Sequence, residues 1–406
     1  MTMLDLRSHF SRFLNSEPER LHFAAHSHHP WPDVTREAQL QAWDDAARLI
    51  DDKWEHVLGP ALDEFRAHVA MQLNLPDPST IAVAPNTHEF LKRILSCFPA
   101  DKPVRILTSD GEFHSFSRQI ARLEEDSTVS VTRVPTEPFA SFEDRFATAA
   151  RENDFDLVFV SQVFFNSGFA ADVRRLVEAA GDNAMVVIDG YHGFMARPTD
   201  LSTVADRAFY IAGGYKYAMA GEGACFMHCP AGWGLRPPDT GWYAAFGNLA
   251  QAQAGQVGYS TDGWRFMGAT FDPSGLYRFN AVMRWLREDG LSPGIIHAHA
   301  KALQEQFLQR AVDCALLNDA RLVVPQDEVR RGNFLTFETS KAQAIHHTLS
   351  KLKVMTDVRG ERLRLGFGIY QTQEEVEELI RRLCEASALE SSRDWALARA
   401  SSGALL

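Results

Sequence analysis

Six short stretches of this sequence are mostly apolar: VRILTS (104–109), VSVTRV (129–134), FDLVFVS (155–161), AMVVID (184–189), AFYIAG (208–213) and GACFMHC (223–229). β-Branched and aromatic residues dominate them, and helical or loop segments separate most of them. A strand that is apolar along nearly its whole length must be covered on both faces. That is the situation of a largely parallel sheet packed between helices. The chain is therefore expected to be an α/β protein.

The flanking segments follow other periods. From Asp33 to Leu75 the apolar residues Val34, Ala38, Trp43, Ala47 and Ile50 recur every three to five positions, as in a helix, and Pro60 should break the run. In APNTHEFLKRILSCF, Asn86 is placed to cap a helix, with Glu89 able to reach back as in a capping box. Beyond about Gly290 helices alternate with ARLVVP, NFLTFET, VMTDV and RLRLGFG, the rhythm of a smaller α+β unit. A chain of 406 residues suits two unequal domains. The expected division is an N-terminal segment joining the small domain (1–55), a large domain (56–285), the small domain proper (286–390) and a loose tail from Ser391 (391–406). No internal repeat or low-complexity tract interrupts this plan.

A formal net charge of −12 argues against nucleic acid or an anionic membrane as the main partner, since both select basic patches. The N-terminal MTMLDLRSHFSRFL has no long apolar core and is expected to be neither signal peptide nor membrane span. Five scattered cysteines, Cys97, Cys225, Cys229, Cys314 and Cys384, suit a reducing cytoplasm better than a disulfide framework. Cys225 and Cys229 lack a second cluster to complete a metal site, so no metal is expected. The imidazoles of HSHHPWP, His26, His28 and His29, are read as part of a polar loop, either structural or lining a substrate mouth.

Ligands of open α/β sheets bind beyond the carboxyl ends of the strands. Three groups fall there: Asp189 closing MVVID, His192 three residues on, and Lys216 just after FYIAGG. An acid, an imidazole and a lysine in this order suit pyridoxal phosphate. The amine forms a Schiff base with the aldehyde, and the carboxylate keeps the ring nitrogen protonated. The helix start at PNTHEF offers N–H groups for the phosphate. Phe113, after another strand end, offers a ring face.

These residues resemble a known family, the fold-type I pyridoxal phosphate enzymes of the class V aminotransferase group, and within it the kynureninases. IDGYHG resembles the family's D-x-A-H motif, GGYKYAMAGEGA its lysine segment, VFFNSG (163–168) its V-x-Y-Y-T-G loop, and LRLGFGIY its carboxylate-binding arginine segment. The similarity runs from about residue 20 to 385. It implies a large domain with a mainly parallel seven-stranded sheet plus a smaller α+β domain. It implies Lys216 as the Schiff-base lysine and carrier of the Cα proton, Asp189 at the pyridinium nitrogen, and His192 near the ring hydroxyl. Tyr215, Thr87 and the backbone at His88 would hold the phosphate, with Trp242 near it and Phe113 stacked on the ring. Arg364 would clamp the substrate α-carboxylate, with Ser27 and His28 beside the substrate. Thr270, where the family usually has Asn, would come from a partner subunit, which implies a homodimer acting on a small amino acid.

The sequence departs from the family at Phe116, in place of an acidic residue, at the His26–His29 cluster, at Thr270, and at the substrate-side histidine, whose counterpart is His56. These positions shape the side-chain pocket rather than the cofactor site. The expected reaction is kynureninase-like Cβ–Cγ hydrolysis releasing alanine. The alternatives are transamination, β-elimination or decarboxylation of another small amino acid, and a non-catalytic relic of the fold. Cysteine desulfuration is disfavoured because no cysteine lies between Cys314 and Cys384 to supply a nucleophilic thiol.

Overall fold

The computed structural model of the chain describes residues 4–251, 256–311, 314–326 and 328–402. It comprises two compact units: Met1–Pro30, Asn166–Gly168 and Ile295–Leu406 form the first, Trp31–Phe165 and Phe169–Gly294 the second.

The second unit is built on a seven-stranded sheet. Its strands are β1 (Ile81–Ala84), β2 (Val104–Ser109), β3 (Val129–Val134), β4 (Leu157–Ser161), β5 (Met185–Asp189), β6 (Ala208–Gly213) and β7 (Cys225–His228). Their order across the sheet is β3-β2-β4-β5-β6-β7-β1. Only β7 runs against the others, pairing antiparallel with both β6 and β1. The six apolar stretches each supply a strand. β1, with only four residues, had no length to announce itself in the sequence. Every residue of β4 and β6 is buried, as two-sided cover requires. β3 sits at the sheet edge, and its polar positions Ser130, Thr132 and Arg133 are exposed.

Helices cover the sheet. α1 (Val34–Leu49) and α2 (Leu62–Leu73) are separated by a wide turn, Val57–Ala61, in which Gly59 is non-helical and Pro60 removes a backbone donor. α3 (Thr87–Ser96) begins as the sequence predicts, with Asn86 Oδ1 accepting from the Glu89 amide at 3.1 Å. Glu89 does not complete a capping box; its carboxylate accepts from Arg93 at 3.1 Å. α4 (His114–Glu125), α5 (Phe142–Glu152), α6 (Val173–Ala179) and α7 (Ser274–Glu288) follow. The apolar centre is aromatic: Phe226 of β7, fully buried, meets Phe65 edge-on at 6.2 Å and Phe194 at 4.8 Å.

The first unit joins α8 (Pro293–Ala311), a four-stranded antiparallel sheet, α9 (Ala342–Lys351) and α10 (Gln373–Ser402). The strands are β8 (Arg321–Leu322), β9 (Phe334–Glu338), β10 (Asp357–Arg359) and β11 (Arg362–Gly366), ordered β10-β11-β9-β8. Leu21–His22 pairs in parallel with Val354–Met355, which ties the N-terminal segment into this unit. Phe23, Phe307, Leu335, Leu363, Phe367 and Leu379 share its core.

Two expectations need correction. Cys314 and Cys384 form a disulfide, where none was expected; 70 residues separate them, but packing of α10 beside the segment after α8 brings their Cα atoms to 5.2 Å. The segment expected to be a loose tail from Ser391 continues α10 to Ser402, in keeping with the strong helix formers of DWALARA. No described helix is long and apolar enough to cross a membrane.

Phe226→Ala should destabilise the second unit by about 3–5 kcal/mol through lost transfer energy and a residual cavity. Equilibrium urea unfolding followed by tryptophan fluorescence measures this. A loss below about 1 kcal/mol would contradict a close-packed aromatic centre around Phe226.

Candidate active site

The parallel strands of the second unit put their carboxyl ends on one edge of the sheet. β1 leads to Asn86 and Thr87, β2 to Glu112 and Phe113, β4 ends on Ser161, β5 on Asp189, and β6 leads within three residues to Lys216. A cavity of about 380 Å³ opens at that edge. Thr87, His88, Phe113, Asp189, His192, Tyr215 and Lys216 all line it. Seven of the residues singled out in the sequence thus meet in one place.

Lys216 is 5% exposed, which for an ammonium demands partners. Its Nζ bonds His192 Nε2. The rings of Tyr191, Phe113 and Tyr215 surround it at 5.1, 5.6 and 5.7 Å from their centroids. The turn that presents it is made by small residues: the Gly214 amide donates to Ala224 O at 2.9 Å and the Ala220 amide to Gly214 O at 2.8 Å. Gly221 has φ +71, and a side chain there would strike the Trp31 ring.

Asp189 accepts from the Tyr191 amide at 3.0 Å. Burial raises its pKa, opposed by that amide and by the charge of Lys216. Gly190 and Gly193, on either side of the turn to His192, are crossed closely by Tyr210 and Gln162, which leave no room for a Cβ. Tyr210 donates to Gln162 Oε1 at 2.8 Å, and Gln162 Nε2 donates to Thr199 Oγ1 at 2.9 Å, so the turn rests on a bonded polar layer.

The residues fit pyridoxal phosphate. Leu91, Phe116, Phe159, Val163 and Ile211 give apolar walls for a ring. The acid, the amine and the start of α3 supply partners for its nitrogen, aldehyde and phosphate. Phe116, which replaces the family's acidic residue, is 3% exposed and stacks on Phe159 with centroids 3.9 Å apart.

Other predicted residues lie elsewhere. Trp242 is 45% exposed, packs on Tyr243 at 4.2 Å, and is not part of the cavity wall. Thr270 is exposed and is not part of the cavity wall. His56 lines a different cavity, of about 490 Å³, with Asp45, Glu64 and Tyr277. Arg364, Ser27 and His28 belong to the first unit. There Arg364, 3% exposed, pairs with Asp357, directly opposite it in the β10–β11 register. His26 Nε2 lies 3.5 Å from the same carboxylate, and its ring stacks on Phe334 at 4.5 Å. His28 is exposed, with Nδ1 3.4 Å from Ser27 Oγ. His29 is buried, bonded to Pro30 O at 2.8 Å, and burial lowers its pKa to about 4. The three imidazoles diverge, and no group of three or more metal-binding side chains converges among the described residues.

Sequence reasoning missed Ser161, Tyr191 and Cys225 in the cavity wall, and Glu112 behind it. The Cys225 thiol meets the Tyr191 hydroxyl at 3.3 Å, and burial pushes its pKa up to about 12. Glu112 sits in a strand-end turn just before Phe113, where the sequence alone does not separate a buried carboxyl from an ordinary turn acid.

Comparison with known proteins comes to the same fold. The model of the family "Aminotransferase class-V" matches residues 52–379. A probable cysteine desulfurase of Vibrio cholerae is 23% identical, over 68% of this chain and 69% of its own length. A kynureninase of Geobacillus thermodenitrificans is 25% identical, over 74% and 72%. The solved structure of a cysteine desulfurase from Thermococcus onnurineus superposes with a TM-score of 0.79 at 16% identity, covering 96% of this chain and all (100%) of that one.

Lys216→Ala should yield a folded protein that binds pyridoxal phosphate without the visible absorption of a lysine imine. Asp189→Asn should weaken cofactor retention about tenfold or more, since the paired ring charge is lost. Dialysis followed by absorption spectroscopy measures both; an unchanged spectrum in the lysine variant would place the reactive amine elsewhere.

Proposed function

The chain belongs to the class-V aminotransferase family, a pyridoxal phosphate enzyme acting on amino acids, and on that premise we propose that it cleaves its substrate at the β-carbon by kynureninase-like hydrolysis of the Cβ–Cγ bond, releasing alanine. The observation that carries this choice over sulfur transfer is the state of its cysteines. Cys97, Cys225 and Cys229 all have their pKa pushed up to about 12 by burial, and Cys314 is joined to Cys384. Sulfur transfer through a protein persulfide needs a thiolate. Of the five cysteines, two are buried, Cys97 is half-buried and the other two are paired, so none is an exposed free thiol.

When bound, pyridoxal phosphate supplies an aldehyde for the substrate amine and a ring that accepts the electrons left by a broken bond. The protein's residues do the rest. Lys216 Nζ takes and returns the Cα proton, with His192 Nε2 as its hydrogen-bond partner inside the cavity. Asp189 would pair with the ring nitrogen and keep it protonated. The start of α3 would hold the phosphate, and Phe113 and Phe116, which line the cavity, would shield the ring from water. Arg364 binds the substrate carboxylate through its planar fork, which Asp357 keeps in one orientation. Thr270, exposed on one chain, acts from a second copy in a homodimer.

A β-eliminating lyase is the second reading. It uses the same lysine and acid and needs no protein thiol. One solved neighbour, 18% identical with a TM-score of 0.77, is described as a cystine C–S lyase in complex with its product cysteine persulfide.

The purified protein, loaded with cofactor, is to be incubated separately with kynurenine, 3-hydroxykynurenine, aspartate, cysteine sulfinate and cystine. Alanine with an anthranilate-type product supports hydrolysis. Pyruvate or a persulfide from cystine, with kynurenines untouched, overturns it in favour of the lyase. With the accepted substrate, Arg364→Lys should raise KM about tenfold and change kcat less, because charge remains beside Asp357 while the fork is lost. An unchanged KM would remove Arg364 from carboxylate binding.

A further inference from the structure

Behind the cavity wall lies a carboxyl group that the chemistry above leaves without a task. Glu112 follows β2 by three residues and precedes Phe113. It is 4% exposed. Its Oε1 accepts from Ser109 Oγ at 2.5 Å and from the Ser161 amide at 3.2 Å, and its Oε2 accepts from Ser161 Oγ at 2.6 Å. Ser109 Oγ in turn accepts from the Gly111 amide at 3.0 Å, which directs the serine hydrogen toward Glu112.

Ser161 is the last residue of β4 and stands opposite Asp189 in the parallel β4–β5 register. Ser161 and Asp189 both line the cavity. A serine hydroxyl has one hydrogen and two lone pairs. With the hydrogen given to Glu112, only lone pairs remain for the cavity. The edge therefore presents two acceptors side by side, the Asp189 carboxylate and the Ser161 oxygen, which suits a donor such as a protonated ring nitrogen.

We propose that Glu112 is a positioning residue for the cofactor, which holds the Ser161 hydroxyl so that its oxygen, and not its hydrogen, faces the cavity beside Asp189. The proposal rests on the assignment of this cavity to pyridoxal phosphate. The geometry serves whether or not Glu112 carries a proton. A proton on Oε1 is donated to Ser109 Oγ and leaves the Ser161–Oε2 bond intact. Burial, with a smaller contribution from the charge of Asp189, pushes the Glu112 pKa up to about 8, against the opposing bonds from Ser109 and Ser161. A neutral Glu112 adds no negative charge behind Asp189.

A merely structural clasp would use the same bonds to fix the turn that carries Phe113. The two roles separate in cofactor affinity. Cofactor-free protein is titrated with pyridoxal phosphate for wild type, Glu112→Leu, Glu112→Gln, Ser161→Ala and the double variant Glu112→Leu/Ser161→Ala. Thermal unfolding of each cofactor-free form reports the fold. Glu112→Leu and Ser161→Ala should each raise the dissociation constant about tenfold, and the double variant no more than the worse single, because one variant releases and the other deletes the same oriented acceptor. Glu112→Gln, which keeps an oxygen for the Ser161 hydroxyl, should stay within about threefold of wild type.

Wild-type affinity in Glu112→Leu with a lowered unfolding temperature would reduce Glu112 to a clasp and overturn the proposal. So would losses that multiply in the double variant. If Glu112→Leu does not fold, Ser161→Ala decides alone, and unchanged affinity there overturns it. Wild-type protein that takes up no cofactor would overturn the cofactor assignment as well.

Discussion

A buried ammonium is the constraint on which the active edge depends. Lys216 sits at 5% exposure, where an unpartnered charge would cost several kcal/mol. Its neighbours include an imidazole nitrogen and three ring faces, which lower that cost. A lysine locked to a carboxylate would be a poor nucleophile, because its charged form would be stabilised. Asp189 acts on Lys216 through its field, while its carboxyl accepts a bond from the Tyr191 amide.

That arrangement follows from the direction of the strands. Parallel strands send all their carboxyl ends to one edge, so residues far apart in sequence arrive there together. Thr87, Phe113, Ser161, Asp189 and Lys216 follow five different strands. β7 is the exception, and being antiparallel it brings Cys225, its first residue, to the same edge. The cavity thus acquires a thiol by topology alone. Its raised pKa keeps it in the neutral form that a site for an electrophilic aldehyde can tolerate.

The sheet was legible because two-sided burial leaves apolar runs that survive in a single sequence. β4, β5 and β6 could be read almost to the residue. β1 could not, because four apolar residues are too few to separate from a loop. The lysine, acid and imidazole were legible because strand-end position and residue type coincided. Glu112 and Ser161 were not, since a buried carboxyl is indistinguishable from a turn acid until its partners from β2 and β4 are known. The Cys314–Cys384 pair failed for the same reason: sequence separation carries no information on which helix packs beside which loop.

The first unit contains a second buried charge pair with the opposite logic to that around Lys216. Arg364 is held by Asp357 across one register position, and His26 approaches the same carboxylate from the N-terminal segment. A guanidinium has five donors in a rigid plane, and a carboxylate on one side leaves the remaining donors preset in direction. Under the proposed role of Arg364 in binding the substrate carboxylate this is an advantage. The orientation is already fixed by the fold, so little side-chain entropy is left to lose when a second anion arrives. Gly366 supports it: a side chain there would run into the His26 ring and the backbone at residues 25 and 26, displacing the imidazole from Asp357. The lysine lies within the electrostatic reach of Asp189. The arginine is bonded directly to Asp357.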